Sequence, residues 1–309
     1  MDIFAQQIVN GLVLGSIYAL VALGYTLVYG ILELINFAHG EVTMMGAMIA
    51  LAAMGALMGV APDMPGVAMA LTGLLVAIPA CMALGYSIER LAYRPLRNAP
   101  RLAPLITAIG ISILLQNIAM MIWGKQYIAF PHILPEGRHE FLGATITDVQ
   151  ILILFLTTAI MTGLVLLVKR TNLGRAMRAV AQSRPVAQLM GVNVNQVVSS
   201  TFVIGSALAA IAGVMVTANY GQAHYYMGFM LGLKAFSAAV LGGIGNLAGA
   251  MLGGLLLGII ESLGAGYIGD LTGGFLGSHY QDVFAFFVLI LVLVLRPSGL
   301  LGEKGVERA

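Results

Sequence analysis

The chain is expected to be an all-α membrane protein, a polytopic helical bundle of about eight spans with broken helices. Three observations predict this. Sixty per cent of its 309 residues are hydrophobic and nine per cent are charged, a composition foreign to ordinary soluble domains. Mean hydropathy is +0.96. The apolar runs approach twenty residues, which suits helices crossing a bilayer and not the shorter alternating segments of a β-barrel. Finally, the basic residues fall in clusters between the runs, the pattern that fixes membrane topology.

Taken in order, the first span runs from about Ile8 to Tyr29. The preceding MDIFAQQ has no Lys or Arg, which places the N-terminus outside. It also lacks the basic start and small-residue cleavage site of a signal peptide, so the span is expected to stay. A polar break, Glu33 to Glu41, precedes span two, which ends near Gly59. The APDMPG turn leads to span three, about Val67 to Ile88. Span four covers about Leu102 to Trp123. The polar stretch Gly124 to Asp148 is expected outside. Span five is Val149 to Val168, span six about Val197 to Ala218, and an outer segment follows around Asn219 to Met227. Leu231 to Leu241 reaches only about 16 Å at a helical rise, half the hydrocarbon thickness. It therefore predicts a broken or tilted pair meeting at Gly242–Asn246. The last span is about Asp282 to Leu295, short unless it begins near Phe275.

Twelve of the fifteen Lys and Arg lie in 90–101, 169–184 and 296–308. Those three segments are expected in the cytoplasm, and with them the C-terminus. The segment from Lys169 to Asn195 alone holds five: Lys169, Arg170, Arg175, Arg178 and Arg184. A tether fixing topology and touching anionic lipid would need no more than charge. Here Ala176, Met177, Val180, Ala181, Val186, Leu189 and Met190 add a patchy apolar face at helical spacing, interrupted at Pro185 and bounded by glycine stops at Gly174 and Gly191. We read a short docked helix, a handle for a cytoplasmic partner.

Enzyme motifs are absent: no HExxH, no G-x-S-x-G, no phosphate-binding G-x-x-x-x-G-K-[ST]. The lone cysteine, Cys81, allows no disulfide framework or cysteine metal site. His132, His139, His224 and His279 lack ligand spacing, so no metal is expected. Without chemistry of its own, a multi-span protein is most simply a conduit.

Polar residues inside spans are costly and usually have a reason. Glu33, Asn36, His39 and Glu41 cluster within nine positions. They could line a pathway for a small polar solute, or Asn36 and Glu41 could cap a helix beginning near Val42; we read a mixed role. Gln116 and Asn117 fit an interhelical hydrogen bond first and pathway lining second. Lys234 and Glu261 flank the glycine break and suit a membrane ion pair. The breaks at Asn36–Glu41 and Gly242–Asn246 hint at an internal duplication, and paired interruptions point to translocation sites; ordinary turns are the alternative. Gly245-x-x-x-Gly249, Gly249-x-x-x-Gly253 and Gly254-x-x-x-Gly258 permit close helix packing, within the chain or against a second membrane subunit.

Four stretches, in the same order along nearly the whole chain, resemble one family. They are Asn36 to Glu41 (NFAHGE), Glu89 to Arg97 (ERLAYRPLR), Gly174 to Ala179 (GRAMRA) and Lys234 to Gly245 (KAFSAAVLGGIG). Together they are similar to LivH-type permeases of ATP-binding-cassette importers for branched-chain amino acids. Urea and short-chain amide permeases look similar, so the set is less specific for the solute.

The resemblance implies a single transmembrane permease domain over 1–309, with a cytoplasmic coupling loop at 169–195, in a bacterial inner membrane. It implies a homologous LivM-like permease as partner, two cytoplasmic ATPases carrying the ATP and magnesium, and a periplasmic binding protein that delivers Leu, Ile or Val. No cofactor in this chain and no nucleic-acid partner are expected. Gly174, Arg175, Arg178, Ala181, Pro185, Leu189 and Gly191 would form the coupling segment. The loop reads AVAQSRPVAQLMG in place of the EAA-type motif of many importers. Asn36, Phe37, His39, Glu41, Gln116, Asn117 and Glu261 are the pathway candidates, working by alternating access. The rivals are a stand-alone secondary transporter or channel, with Glu33, Glu41 or Glu261 as ion sites, and a membrane scaffold.

Overall fold

Small residues set the helix packing in this chain. The structure, a computed structural model, describes all residues except 1, 98, 101, 132, 136, 142, 272, 274–279 and 303–309. Arg101, His132, His279, Lys304 and Arg308, and Phe275 as a starting point for the last span, thus lie outside the described residues.

Eleven α-helices follow in order among the described residues: α1 (Asp2–Leu32), α2 (His39–Val60), α3 (Gly66–Ile88), α4 (Leu102–Trp123), α5 (Asp148–Arg170), α6 (Asn172–Gln182), α7 (Arg184–Leu189), α8 (Val194–Tyr220), α9 (Met227–Gly242), α10 (Leu247–Leu271) and α11 (Gln281–Leu295). Among the described residues, seven are long and apolar enough to cross a bilayer, while α9 and α11 are shorter apolar helices. The chain is therefore an all-α, multi-pass membrane protein. Its only described strands are two short antiparallel pairs: β1 (Ile128–Ala129) with β4 (Gln222–Ala223), and β2 (Arg138–Phe141) with β3 (Ala144–Thr147).

The first helix begins earlier than the apolar run. Polar Gln6 and Gln7 are carried in helix because each has a partner. Gln6 exchanges hydrogen bonds with the Thr145 backbone at 3.0 and 2.8 Å, and Gln7 accepts one from the Ser262 hydroxyl at 2.7 Å.

Two compact units divide the chain. One comprises Leu27–Pro135 and Thr162–Leu233. At its centre α2, α3 and α8 pack at backbone distance. A Cβ on Gly46 would stand 2.5 Å from the Ala210 Cα, and one on Gly213 would strike the Thr43 carbonyl. Lipid offers no hydrophobic drive between helices, so such close approach supplies the dispersion contacts that hold them. Met44, Met48, Met54 and Phe202 fill the core, the methionines adapting to its irregular gaps. After α3 the backbone makes one wide turn, Glu89–Tyr93, of the π type.

The other unit comprises Met1–Thr26, Glu136–Met161 and Lys234–Ala309. Here the glycine repeats of α10 work in two directions. Gly254 and Gly258 meet Ala19 and Gly15 of α1, while Gly249 and Gly253 meet Gly242 and Ala238 of α9. The small-residue motifs thus serve packing within the chain. The α9–α10 break is a tight turn with positive φ at Gly243 and Gly245 (106° and 95°). Asn246 caps α10 by accepting from the Gly249 amide at 3.1 Å, and the tail pairs back through Leu300 and Leu301 to the carbonyls of Leu241 and Gly242.

Candidate functional site

The break between α1 and α2 is built from backbone and buried polar groups. α1 ends at Leu32, and Glu33 turns the chain in the left-handed region at φ 54°, a conformation that costs a non-glycine residue about 1–2 kcal/mol. The His39 amide donates to the Asn36 carbonyl at 3.0 Å, and α2 starts there.

The capping role expected of Asn36 and Glu41 is not what the structure shows. The N-cap is Ala38, without a side-chain cap bond. Asn36, 4% exposed, spends its side-chain oxygen on the Tyr93 hydroxyl at 3.0 Å. Glu41, 1% exposed, lies within the first turn of α2. One of its oxygens accepts from Gln116 at 2.7 Å and from Ser112 at 3.2 Å, both on α4. Gln116 is therefore an interhelical partner, as its mid-span position implied. Asn117 is not: its amide donates to Ile113 of its own helix at 2.8 Å on an exposed face. His39 is buried and Phe37 packs half-buried against the core.

Glu261 belongs to the other unit, where it joins Lys234 as the opposite charges flanking the break predict. The Lys234 ammonium stands 2.7 Å from Glu261 and 2.7 Å from Asp282 of α11. Tyr18 donates its hydroxyl to the second Glu261 oxygen at 2.9 Å. Each charge is costly alone in the membrane, and pairing removes most of that cost.

The basic segment between α5 and α8 folds into two short helices instead of one. Ser183 is extended (φ −162°, ψ 110°) and its hydroxyl accepts from the Val186 amide. Pro185 occupies the first turn of α7, where a missing N–H costs nothing. α6 buries Gly174, Met177 and Val180 on one face. Gly174 is not a stop: it lies inside α6, so close to the Leu167 and Val168 carbonyls that a side chain would collide. The stop after α7 is Gly191, at φ 82°. Arg175 donates to the Asn172 side chain within α6, and Arg178 donates to the Val168 carbonyl, pinning α6 to the end of α5. Ala181 and Pro185 are exposed. So are Val186 at 56%, Leu189 at 86% and Met190 at 79%.

A second polar centre went unread in the sequence. Glu89, 0% exposed, receives Arg94 at 2.9 Å, Arg97 and the Ser199 hydroxyl at 2.7 Å. The hydrogen bond with Glu89 raises the Arg94 pKa, whereas burial lowers that of Arg97. The signal is one carboxylate among four arginines in 89–101; sidedness and the family resemblance both use this stretch, and neither pairs its charges.

Comparison with known proteins bears on the whole chain. The family described as "Branched-chain amino acid transport system / permease component" matches residues 7–293. The high-affinity branched-chain amino acid transport system permease protein BraD of Pseudomonas aeruginosa is 49% identical, covering 99% of this chain and 98% of its own. LivH of Escherichia coli is 46% identical, covering 99% and 97%. A more distant likeness, 31% over 45% of the chain, reaches the ribose import permease RbsC of Haemophilus influenzae. No solved structure matches. With a family match along nearly its full length, the chain belongs to the branched-chain amino acid transport permeases, as a transport subunit and not an enzyme.

Proposed function

We propose that this chain is one permease domain of an ATP-binding-cassette importer that translocates Leu, Ile or Val across the bacterial inner membrane. A homologous LivM-like permease completes the pathway, a periplasmic binding protein delivers the solute, and two cytoplasmic ATPases dock on α6–α7. The N-terminus then lies outside and the C-terminus in the cytoplasm, with ATP and magnesium held by the partners. Closure of the ATPases shifts α6–α7, and the spans around the Asn36–Glu41 break tilt between outward and inward access.

The observation that carries this reading is the α6–α7 pair. Its α7 displays Val186, Leu189 and Met190 to solvent and its α6 carries the exposed Arg175 and Arg178, and exposed apolar side chains grouped on one short segment mark a protein interface. Of the three carboxylates that the rival stand-alone transporter could use for its coupling ion, Glu261 is already satisfied by Lys234 and Tyr18, which leaves Glu33 and Glu41 as its candidates.

Gentle affinity purification from native membranes tests the proposal. A second permease and two ATPases should remain bound, with leucine and its binding protein stimulating ATP hydrolysis. A lone oligomer, active in liposomes without ATP, would return the function to a secondary transporter.

A further inference from the structure

Arg184 is the first residue of α7, immediately after the bend at Ser183. Its guanidinium does not face outward with the other arginines of the segment. It reaches the far end of α1 and donates from one nitrogen to two backbone carbonyls, Ile31 at 3.1 Å and Leu32 at 2.7 Å. These are among the last carbonyls of α1, the orphan acceptors that end every helix and carry the negative end of its dipole. A cation placed there is held by two hydrogen bonds and by charge.

A small cavity of about 290 Å³ lies at this junction, lined by Glu33, Leu34, Arg97, Ala181, Ser183 and Arg184 among others. Packing around the junction is thus incomplete, and the hydrogen bonds of Arg184 are the specific tie between the α6–α7 bend and α1. Arg97, across the cavity, is committed to Glu89. Beyond Leu32 the chain passes through the left-handed Glu33 to Asn36, which is fastened to Tyr93 at the end of the same π turn that carries Glu89.

We infer that Arg184 is the positioning residue that ties α6–α7 to the end of α1, so that displacement of the segment moves the backbone carrying Asn36 to Glu41. The inference rests on the reading of α6–α7 as the ATPase dock. Its function is transmission: the dock is on the exposed end of α7, at Leu189, and the tie is at the first residue of the same helix, Arg184. Loss of the tie leaves ATP hydrolysis running without solute movement, which is a lost coupling between two intact sites.

The test uses the complete transporter, with its binding protein and ATPases, in proteoliposomes. Arg184→Met keeps the apolar stem and removes the donors and the charge. It should retain the ATPases at the wild-type ratio and hydrolyse ATP within about two-fold of wild type, while leucine taken up per ATP falls by roughly ten-fold or more. Arg184→Lys, which restores a charge and a donor, should recover part of that ratio. An unchanged uptake per ATP in Arg184→Met overturns the inference, and so does loss of the ATPases together with uptake, which would make Arg184 part of the dock. Leu189→Asp separates the two readings. If the ATPases stay bound to that variant, the docking assignment fails whatever Arg184 does.

Discussion

Tyr93 donates its hydroxyl hydrogen to Asn36 across 3.0 Å, joining the end of the π turn after α3 to the break before α2. Both residues are almost fully buried, and the Tyr93 ring also packs against Phe202 at a centroid distance of 5.2 Å. The pair fixes the one stretch of irregular backbone between α1 and α2. Tyr93→Phe keeps the ring contact and deletes the hydroxyl, which removes a hydrogen bond from a buried amide at a cost of about 1–3 kcal/mol. A lower apparent melting temperature in detergent, with reduced uptake at full expression, is the expected result. Wild-type melting would show that the hydroxyl contributes nothing to the break.

Glu89 should behave as the anchor of its cluster. Glu89→Gln leaves the Arg94 and Arg97 guanidinium groups without their carboxylate, and removing one partner of a buried ion pair costs on the order of 3–5 kcal/mol. The lower end applies, because the Arg94 side chain is 31% exposed and regains water. Expression and melting temperature should both fall. The Glu89→Gln/Arg97→Gln double variant should recover part of the loss. Additive losses in that cycle would deny the two residues any coupling.

Some of this was legible in the sequence, and the reason differs by residue. Lys234 and Glu261 stood out because each is a charge in an apolar stretch, and the membrane makes an unpaired charge expensive enough to predict its partner. The glycine repeats of α10 were legible because spacing alone puts them on a helix face. Asn36 was misread because a local rule, capping, competed with a tertiary partner, Tyr93, that only the fold brings near. Glu89 was missed because Arg94 and Arg97 reach it through a wide turn, while Ser199 comes from a distant helix. The bend of α6–α7 is half legible: Pro185 marks the interruption, while the Ser183 cap that starts a second helix shows only in the folded backbone.

Lys234 faces two carboxylates, Glu261 and Asp282, at 2.7 Å each. Lys234→Met leaves both without a cation, one of them 2% exposed, so the loss should again be on the order of 3–5 kcal/mol. The variant is expected to insert poorly and melt early. Lys234→Met/Glu261→Gln should regain stability, since Asp282 keeps some contact with solvent (29% exposed). If the double variant is no better than the single one, Glu261 is not the main partner of Lys234. Full uptake in the double variant would further remove Glu261 from the pathway candidates.

Arg175 and Arg178 test whether α6 takes part in coupling. Both are exposed, yet each also donates a local hydrogen bond, Arg175 to Asn172 and Arg178 to the Val168 carbonyl. Charge reversal at both positions therefore acts twice, on a partner's complementary surface and on the seat of α6 against α5. Arg175→Glu/Arg178→Glu should lower uptake by about ten-fold or more, the scale of a lost interfacial charge pair, while the amount inserted in the membrane stays near wild type. Arg178→Gln separates the contributions, because its amide still offers an N–H donor near the Val168 carbonyl and carries no charge. A mild defect in that variant beside a severe one in the reversal assigns the effect to the partner's charges. Equal defects assign it to the seat of α6, and normal uptake in the reversed variant takes both arginines out of the coupling surface.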